Sequence, residues 1–190
     1  MLHHLPNFLT LFRFGSAPVI LWLYSNHYIE RAIILTLVAS ITDFLDGWSA
    51  RALNRETPAG AILDPVADKV LILSLFGMLF IHGAIPVWLF AVSSTRNLSQ
   101  LLAIPVLLWW KRKPFQVKPK LIPKWGSALS YVVILLGLLA LSETINPQHH
   151  ILSGILALVS GVLSVLELQI LVTYWPRFFE IYRGKHDTFE

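Results

Sequence analysis

Asp43-Phe-Leu-Asp46-Gly47-Trp-Ser-Ala50-Arg51 and, eight residues further on, Gly60-Ala-Ile-Leu-Asp64-Pro-Val-Ala-Asp68-Lys69 lead directly into Val70-Leu-Ile-Leu-Ser-Leu-Phe-Gly-Met-Leu-Phe-Ile81. The last part is apolar almost without interruption. Taken from residue 59 to residue 81, the run is long enough as a helix, at about 1.5 Å per residue, to cross the roughly 30 Å hydrocarbon core of a bilayer. Carboxylates at the mouth of such a run are costly to place there and functional by default. The stretch therefore predicts a membrane helix with chemistry at one end.

Working outward, five further apolar runs of similar length appear, giving expected spans at 8–24, 31–52, 59–81, 85–110, 121–141 and 151–174. The breaks fall at Ser25-Asn26-His27, at 54–58, at His82-Gly83, in a basic loop after Trp110, and at Asn146-Pro147. Backbone polar groups in lipid must be satisfied within each segment, so runs of this length form a helical bundle. Composition agrees: 55% of the 190 residues are hydrophobic and 14% charged, where soluble domains carry about a quarter charged residues. The expected fold is all-α, a polytopic six-helix transmembrane bundle forming one domain over 1–190, without a soluble domain, low-complexity tract or internal repeat. The absence of cysteine excludes disulfides, thiolate metal sites and a cysteine nucleophile. The opening Met1-Leu2-His3-His4-Leu5-Pro6-Asn7 lacks the basic start and small-residue cleavage site of a secretory signal, so the first helix is expected to be retained.

Short cytoplasmic loops hold an excess of Lys and Arg. Arg13 lies near the start of the first span, Arg51 and Arg55 between the second and third, Lys111, Arg112, Lys113, Lys118, Lys120 and Lys124 between the fourth and fifth, and Arg177, Arg183 and Lys185 after the sixth. On the opposite side stands Arg31, beside Glu30. Both termini and the carboxylate cluster are thereby expected on the cytoplasmic face of a multi-pass protein, in a bacterial inner membrane. The formal charge of +4 gathers on a rim suited to anionic lipid headgroups, and nucleic acid is not an expected partner.

On helices, Asp43 and Asp46 are three apart and Asp64 and Asp68 four apart, so each pair shares a face with Cβ atoms about 5–6 Å apart. The short connection is expected to make spans two and three antiparallel neighbours with the two pairs facing each other. Four carboxylates so close call for divalent cations. Oxygen ligands without His or Cys favour Mg2+ or Mn2+ over zinc, and four negative charges can hold two ions, a known device for displacement at phosphorus. Gly47 and Gly60 leave room for a diphosphate to approach the backbone, and Arg51 places a guanidinium suited to phosphate one turn beyond Asp46. The competing reading is a transporter or scaffold in which the carboxylates form a proton relay, pair with Lys69 and Arg96, or bind a structural metal.

The pattern D-x2-D-G-x2-A-R-x8-G-x3-D-x3-D, complete here in Asp43, Asp46, Gly47, Ala50, Arg51, Gly60, Asp64 and Asp68, resembles the signature of the CDP-alcohol phosphatidyltransferase family. The resemblance implies a six-span fold over essentially the whole chain, two ions held by Asp43, Asp46, Asp64 and Asp68, and a cytidine diphosphate bordered by Gly47, Ala50, Arg51 and Gly60. It implies Asp68 as general base towards the acceptor hydroxyl, with CMP as leaving group and CDP-diacylglycerol as donor. Pro6-Asn7-Phe-Leu-Thr10-Leu-Phe-Arg13 is similar to the opening of the glycerol-acceptor branch, in which Asn7 either contacts the nucleotide or caps the first helix.

Arg96, in the fourth span, either pairs with an aspartate or lines the acceptor pocket, the reading favoured here. Where the family follows this arginine with an acid, the chain has Asn97. Val117-Lys118-Pro119-Lys120-Leu121-Ile122-Pro123-Lys124 resembles the basic stretch of the family's cardiolipin synthases, which implies Lys118 and Lys124 as acceptor contacts. Gly126 stands where phosphatidylglycerophosphate synthases carry a second lysine. Phosphatidylglycerol is thus the favoured acceptor, with glycerol 3-phosphate second. Lys69 is expected to snorkel to the headgroups. Glu167, without an obvious partner, is protonated, paired across a homodimer interface, or outside the span, and Trp and Tyr residues such as Trp175 read as interface anchors.

Overall fold

The computed structural model of the chain describes residues 5–53, 60–105, 121–142 and 149–183. These residues form six helices, α1 (Leu5–Ser25), α2 (Ile29–Leu53), α3 (Gly60–Ile81), α4 (Val87–Pro105), α5 (Leu121–Ala140) and α6 (His149–Tyr182), and no strand occurs among them.

The tight turns fall where the sequence breaks. At the end of α1, His27 N–H bonds to the Tyr24 carbonyl and Tyr28 N–H to the Leu23 carbonyl, both at 2.9 Å, with His27 at φ 62°. At the end of α3, Gly83 N–H reaches the Phe80 carbonyl at 3.0 Å and Ala84 N–H the Leu79 carbonyl at 2.8 Å, with Gly83 at φ 72°. Both are the left-handed stop that satisfies the last free carbonyls of a helix. Glycine adopts that conformation freely, whereas histidine does so at a cost.

One helix runs well past its expected span: α6 continues to Tyr182 with Pro176 inside it. The end of an apolar run is not a helix stop when no capping residue follows it, and Phe178 and Phe179 continue the helix, with the Trp175 ring tilted against that of Phe179 at 5.7 Å between centroids.

The packing is two adjoining rings of four helices. In one, α1 touches α2 and α3, and α5 touches α2 and α3; in the other, α4 touches α3 and α6, and α5 touches α3 and α6. Helices α3 and α5 belong to both rings. Among the described residues, α1 and α5 each touch both α2 and α3. The apolar face of α3, with Leu71, Ile72, Leu75, Phe76 and Leu79, is buried in one core with Ile20 of α1, Leu89 of α4 and Ile134 and Leu138 of α5. A side chain at Gly137 would lie 2.8 Å from Leu79 Cδ1, so glycine there permits the close approach of α3 and α5.

Outward, the surface is unusually apolar. Ile151, Ile155, Leu158, Val162, Val165, Leu168 and Val172 recur three or four residues apart, exposed along one face of α6. By length and composition the Ile151–Glu180 segment, with a mean hydropathy of 2.3 in its most apolar window, is able to cross a membrane, and Trp125–Ala140 is a shorter apolar segment.

Candidate active site

The last turns of α2 carry Asp43 and Asp46, and the first turns of α3 carry Asp64 and Asp68. Only six residues, 54–59, separate the two helices, a reach of about 20 Å at full extension, so the four aspartates belong to one end of the first ring. The side chains of Asp43, Asp46, Asp64, Gly47, Ala50, Arg51, Gly60, Asn7 and Lys124 lie outside the described residues, as does Lys118 entirely. Asp68 and Arg96 are described in full.

Asp68 is buried where the rings meet. Tyr131 of α5 donates a hydrogen bond to its Oδ1 at 2.9 Å, and the Lys69 ammonium donates to Oδ2 at 3.0 Å. Arg13 of α1, itself buried, lies within electrostatic reach of the same carboxylate. Lys69 therefore does not snorkel: it is buried and turned inward, with Ser127 Oγ of α5 at 3.5 Å from its Nζ. The cause is the adjacent carboxylate, since an ion pair one residue away satisfies both charges inside an apolar bundle without a climb to the headgroups.

A hard divalent ion suits what is described of this end. Asp68 offers hard carboxylate oxygens, one of which, Oδ2, already takes a cationic group, and no imidazole or thiolate occurs in the four-aspartate stretch. Among the described residues no group of three His, Cys, Asp or Glu could hold a metal, because the other three aspartate side chains are outside them.

A second polar cluster fills the neighbouring ring. Arg96 of α4 and Glu167 of α6 are 1% and 0% exposed, and Arg96 Nε lies 3.3 Å from Glu167 Oε2. Arg96 Nη1 also donates to Asn97 Oδ1 at 3.1 Å, and Ser130 Oγ of α5 approaches Glu167 Oε1 at 3.4 Å. Among the described residues the carboxylate beside Arg96 is that of Glu167. Glu167 lies inside the helix with a partner in its own chain. Ser127, Ser130 and Tyr131 lie three and four residues apart on one face of α5 and connect the two clusters.

Arg13, Tyr131, Ser127 and Ser130 were not singled out as site residues by sequence. Arg13 closes the opening Pro6-to-Arg13 motif, and that position was the available signal. The α5 residues carry no signal beyond polar side chains recurring in an apolar run.

The family model for CDP-alcohol phosphatidyltransferases matches residues 3–167, and the chain belongs to that family. The family is membrane-associated. The chain is 35% identical over 157 residues to a Schizosaccharomyces pombe protein named cardiolipin synthase (CMP-forming) / mitochondrial hydrolase fusion protein, covering 75% of this chain and 26% of that one. It is 47% identical over 72 residues to a Rickettsia bellii CDP-diacylglycerol–glycerol-3-phosphate 3-phosphatidyltransferase, covering 36% of this chain and 40% of the relative. It is 26% identical to a protein of the same name from Sodalis glossinidius over 98% of each chain. The chain thus spans well under half the length of the first two relatives.

Proposed function

We propose that the protein transfers a phosphatidyl group from CDP-diacylglycerol to a glycerol-type alcohol and releases CMP. The observation that carries this reading is the complete aspartate pattern, with its last member buried and held at both carboxylate oxygens by Tyr131 and Lys69. In this reading all six helices span the membrane, the aspartate end faces the cytoplasm, and lipid covers the exposed apolar faces. The basic segments beside that end would draw anionic lipids.

Asp43, Asp46, Asp64 and Asp68 would hold Mg2+ or Mn2+, two ions by their charge. When bound, such ions neutralise the diphosphate and the oxygens entering and leaving phosphorus. Asp68, oriented by Tyr131, takes the proton of the acceptor hydroxyl; each carboxylate oxygen has two lone-pair sites, so the two observed donors leave others free. The acceptor oxygen forms its bond to the phosphorus next to diacylglycerol as the bond from that phosphorus to CMP breaks, and the proton passes from Asp68 to water. Gly47, Ala50, Arg51, Gly60 and Asn7 would border the nucleotide, and Arg96, Lys118 and Lys124 the acceptor.

Phosphatidylglycerol is the favoured acceptor, which makes cardiolipin the product. The stretch from Lys118 to Lys124 supports it, as does glycine at 126 in place of a second lysine, since a water-soluble dianion needs more convergent cations than a lipid already concentrated in the bilayer. Glycerol 3-phosphate stands second, because the relatives matched over nearly their full length carry its name. With both acceptors present and CDP-diacylglycerol labelled, cardiolipin is expected to dominate by lipid mass spectrometry. Phosphatidylglycerophosphate as main product would overturn the acceptor and leave the transfer itself standing.

A further inference from the structure

We propose that Glu167 is a positioning residue for the acceptor: it holds the Arg96 guanidinium from α6 and turns it towards the α5 face that leads to Lys69 and Asp68. The inference rests on the reading of Arg96 as an acceptor contact.

A guanidinium with 1% exposure inside an apolar bundle requires an anion. Its chain neighbour cannot supply one. Asn97 offers an amide oxygen to Nη1 at 3.1 Å, and its Nδ2 donates to the Ser93 carbonyl at 2.8 Å, which fixes that amide in place. The countercharge comes from another helix, through Glu167 Oε2 at 3.3 Å from Nε. This contact lacks hydrogen-bond alignment, so it is not the two-pronged pair that engages a full edge of the guanidinium. The other carboxylate oxygen is held at 3.4 Å by Ser130 Oγ, which itself donates to the Gly126 carbonyl at 2.9 Å.

With Nε facing Glu167 and Nη1 facing Asn97, Nη2 is directed towards α5. A side chain at Gly126 would begin 3.8 Å from it. The next residue, Ser127, contacts the Lys69 ammonium at 3.5 Å, and Lys69 also lies within electrostatic reach of Glu167. The buried charges among the described residues are Arg13, Lys69 and Arg96 against Asp68 and Glu167, an excess of one positive charge (three minus two). Both candidate acceptors carry an anionic phosphate, which such an excess attracts. Glu167 keeps Arg96 on the α5 side; without it, the nearest carboxylate for the guanidinium lies elsewhere in the bundle.

The test measures CMP release by the full-length enzyme in detergent micelles, varying phosphatidylglycerol, and separately glycerol 3-phosphate, at saturating CDP-diacylglycerol, and then the reverse. Glu167→Gln is expected to raise the KM of whichever acceptor supports turnover by about tenfold, with the KM of CDP-diacylglycerol and kcat within about twofold. Adding Asn97→Asp returns a carboxylate to Arg96 from α4 and is expected to recover most of that loss. Glu167→Asp keeps the charge with a shorter reach and should show the same split at smaller size, which serves if the Gln variant does not fold. Equal changes in both KM values, or no recovery in the double variant, would overturn the proposal. If Arg96→Gln raises the acceptor KM and neither Glu167 variant does, this inference alone fails. If Arg96→Gln also leaves the acceptor KM unchanged, the acceptor reading of Arg96 fails and the inference with it.

Discussion

Asp68 is where sequence and structure bear most directly on one another. Its two donors come from different sources, Lys69 from the next position in α3 and Tyr131 from α5. Asp68→Asn retains an oxygen able to ligate but removes the proposed base, so turnover is expected to fall by about two to four orders of magnitude with CDP-diacylglycerol affinity retained. Asp46→Ala should instead weaken metal and nucleotide together. Equal loss of donor affinity in both variants would contradict the division of roles. Tyr131→Phe removes one hydrogen bond to a charged group, and kcat is expected to drop about tenfold, the equivalent of roughly 1.4 kcal/mol, with the acceptor KM little changed. The aspartate pattern is legible as a string because its spacing is fixed in sequence. Tyr131 and Glu167 were not, because their partners lie 63 and 71 residues away (131 − 68 and 167 − 96) and only packing brings them together.

At the scale of the element, the helices were legible from apolar length, and their stops from turn residues. Asn26-His27 and His82-Gly83 end α1 and α3 with the same left-handed geometry. His27→Gly should relieve the cost at φ 62° and stabilise the protein by up to about 1 kcal/mol, read as a higher Tm in detergent; a lower Tm would contradict this account of the turn. Apolar length misjudged the end of α6, where helix and apolar run part company. Nor does a motif read as a string reveal its walls. By pattern alone, Gly126→Lys restores a missing family lysine and should improve glycerol 3-phosphate use. In the fold its first carbon would meet Ile170 Cδ1 at 2.9 Å and its charge would enter beside Arg96. We expect the variant to lower Tm with no gain in glycerol 3-phosphate turnover; a gain at unchanged Tm would show that Ile170 and Arg96 yield easily.

For the whole molecule, ring topology decides how the site is built. Helices α1 and α5 each touch both α2 and α3, and the contact of α3 with α5 brings Asp68 against Tyr131. Which helices pair is not legible in the sequence, since apolar length is the same for every order of packing. The membrane reading is checked by single cysteines, for which the cysteine-free chain is convenient. In intact bacterial cells an impermeant maleimide should label Asn26→Cys and spare Lys113→Cys, and the reverse would invert the orientation.

The central claim is phosphatidyl transfer itself, and CMP release from CDP-diacylglycerol by the purified protein tests it most directly. Release is expected only when Mg2+ or Mn2+ and a glycerol-type acceptor are both present, to stop when the metal is chelated, and to be lost in Asp68→Asn. Absence of release with both phosphatidylglycerol and glycerol 3-phosphate under those conditions, or release that persists unchanged in Asp68→Asn, would contradict the account.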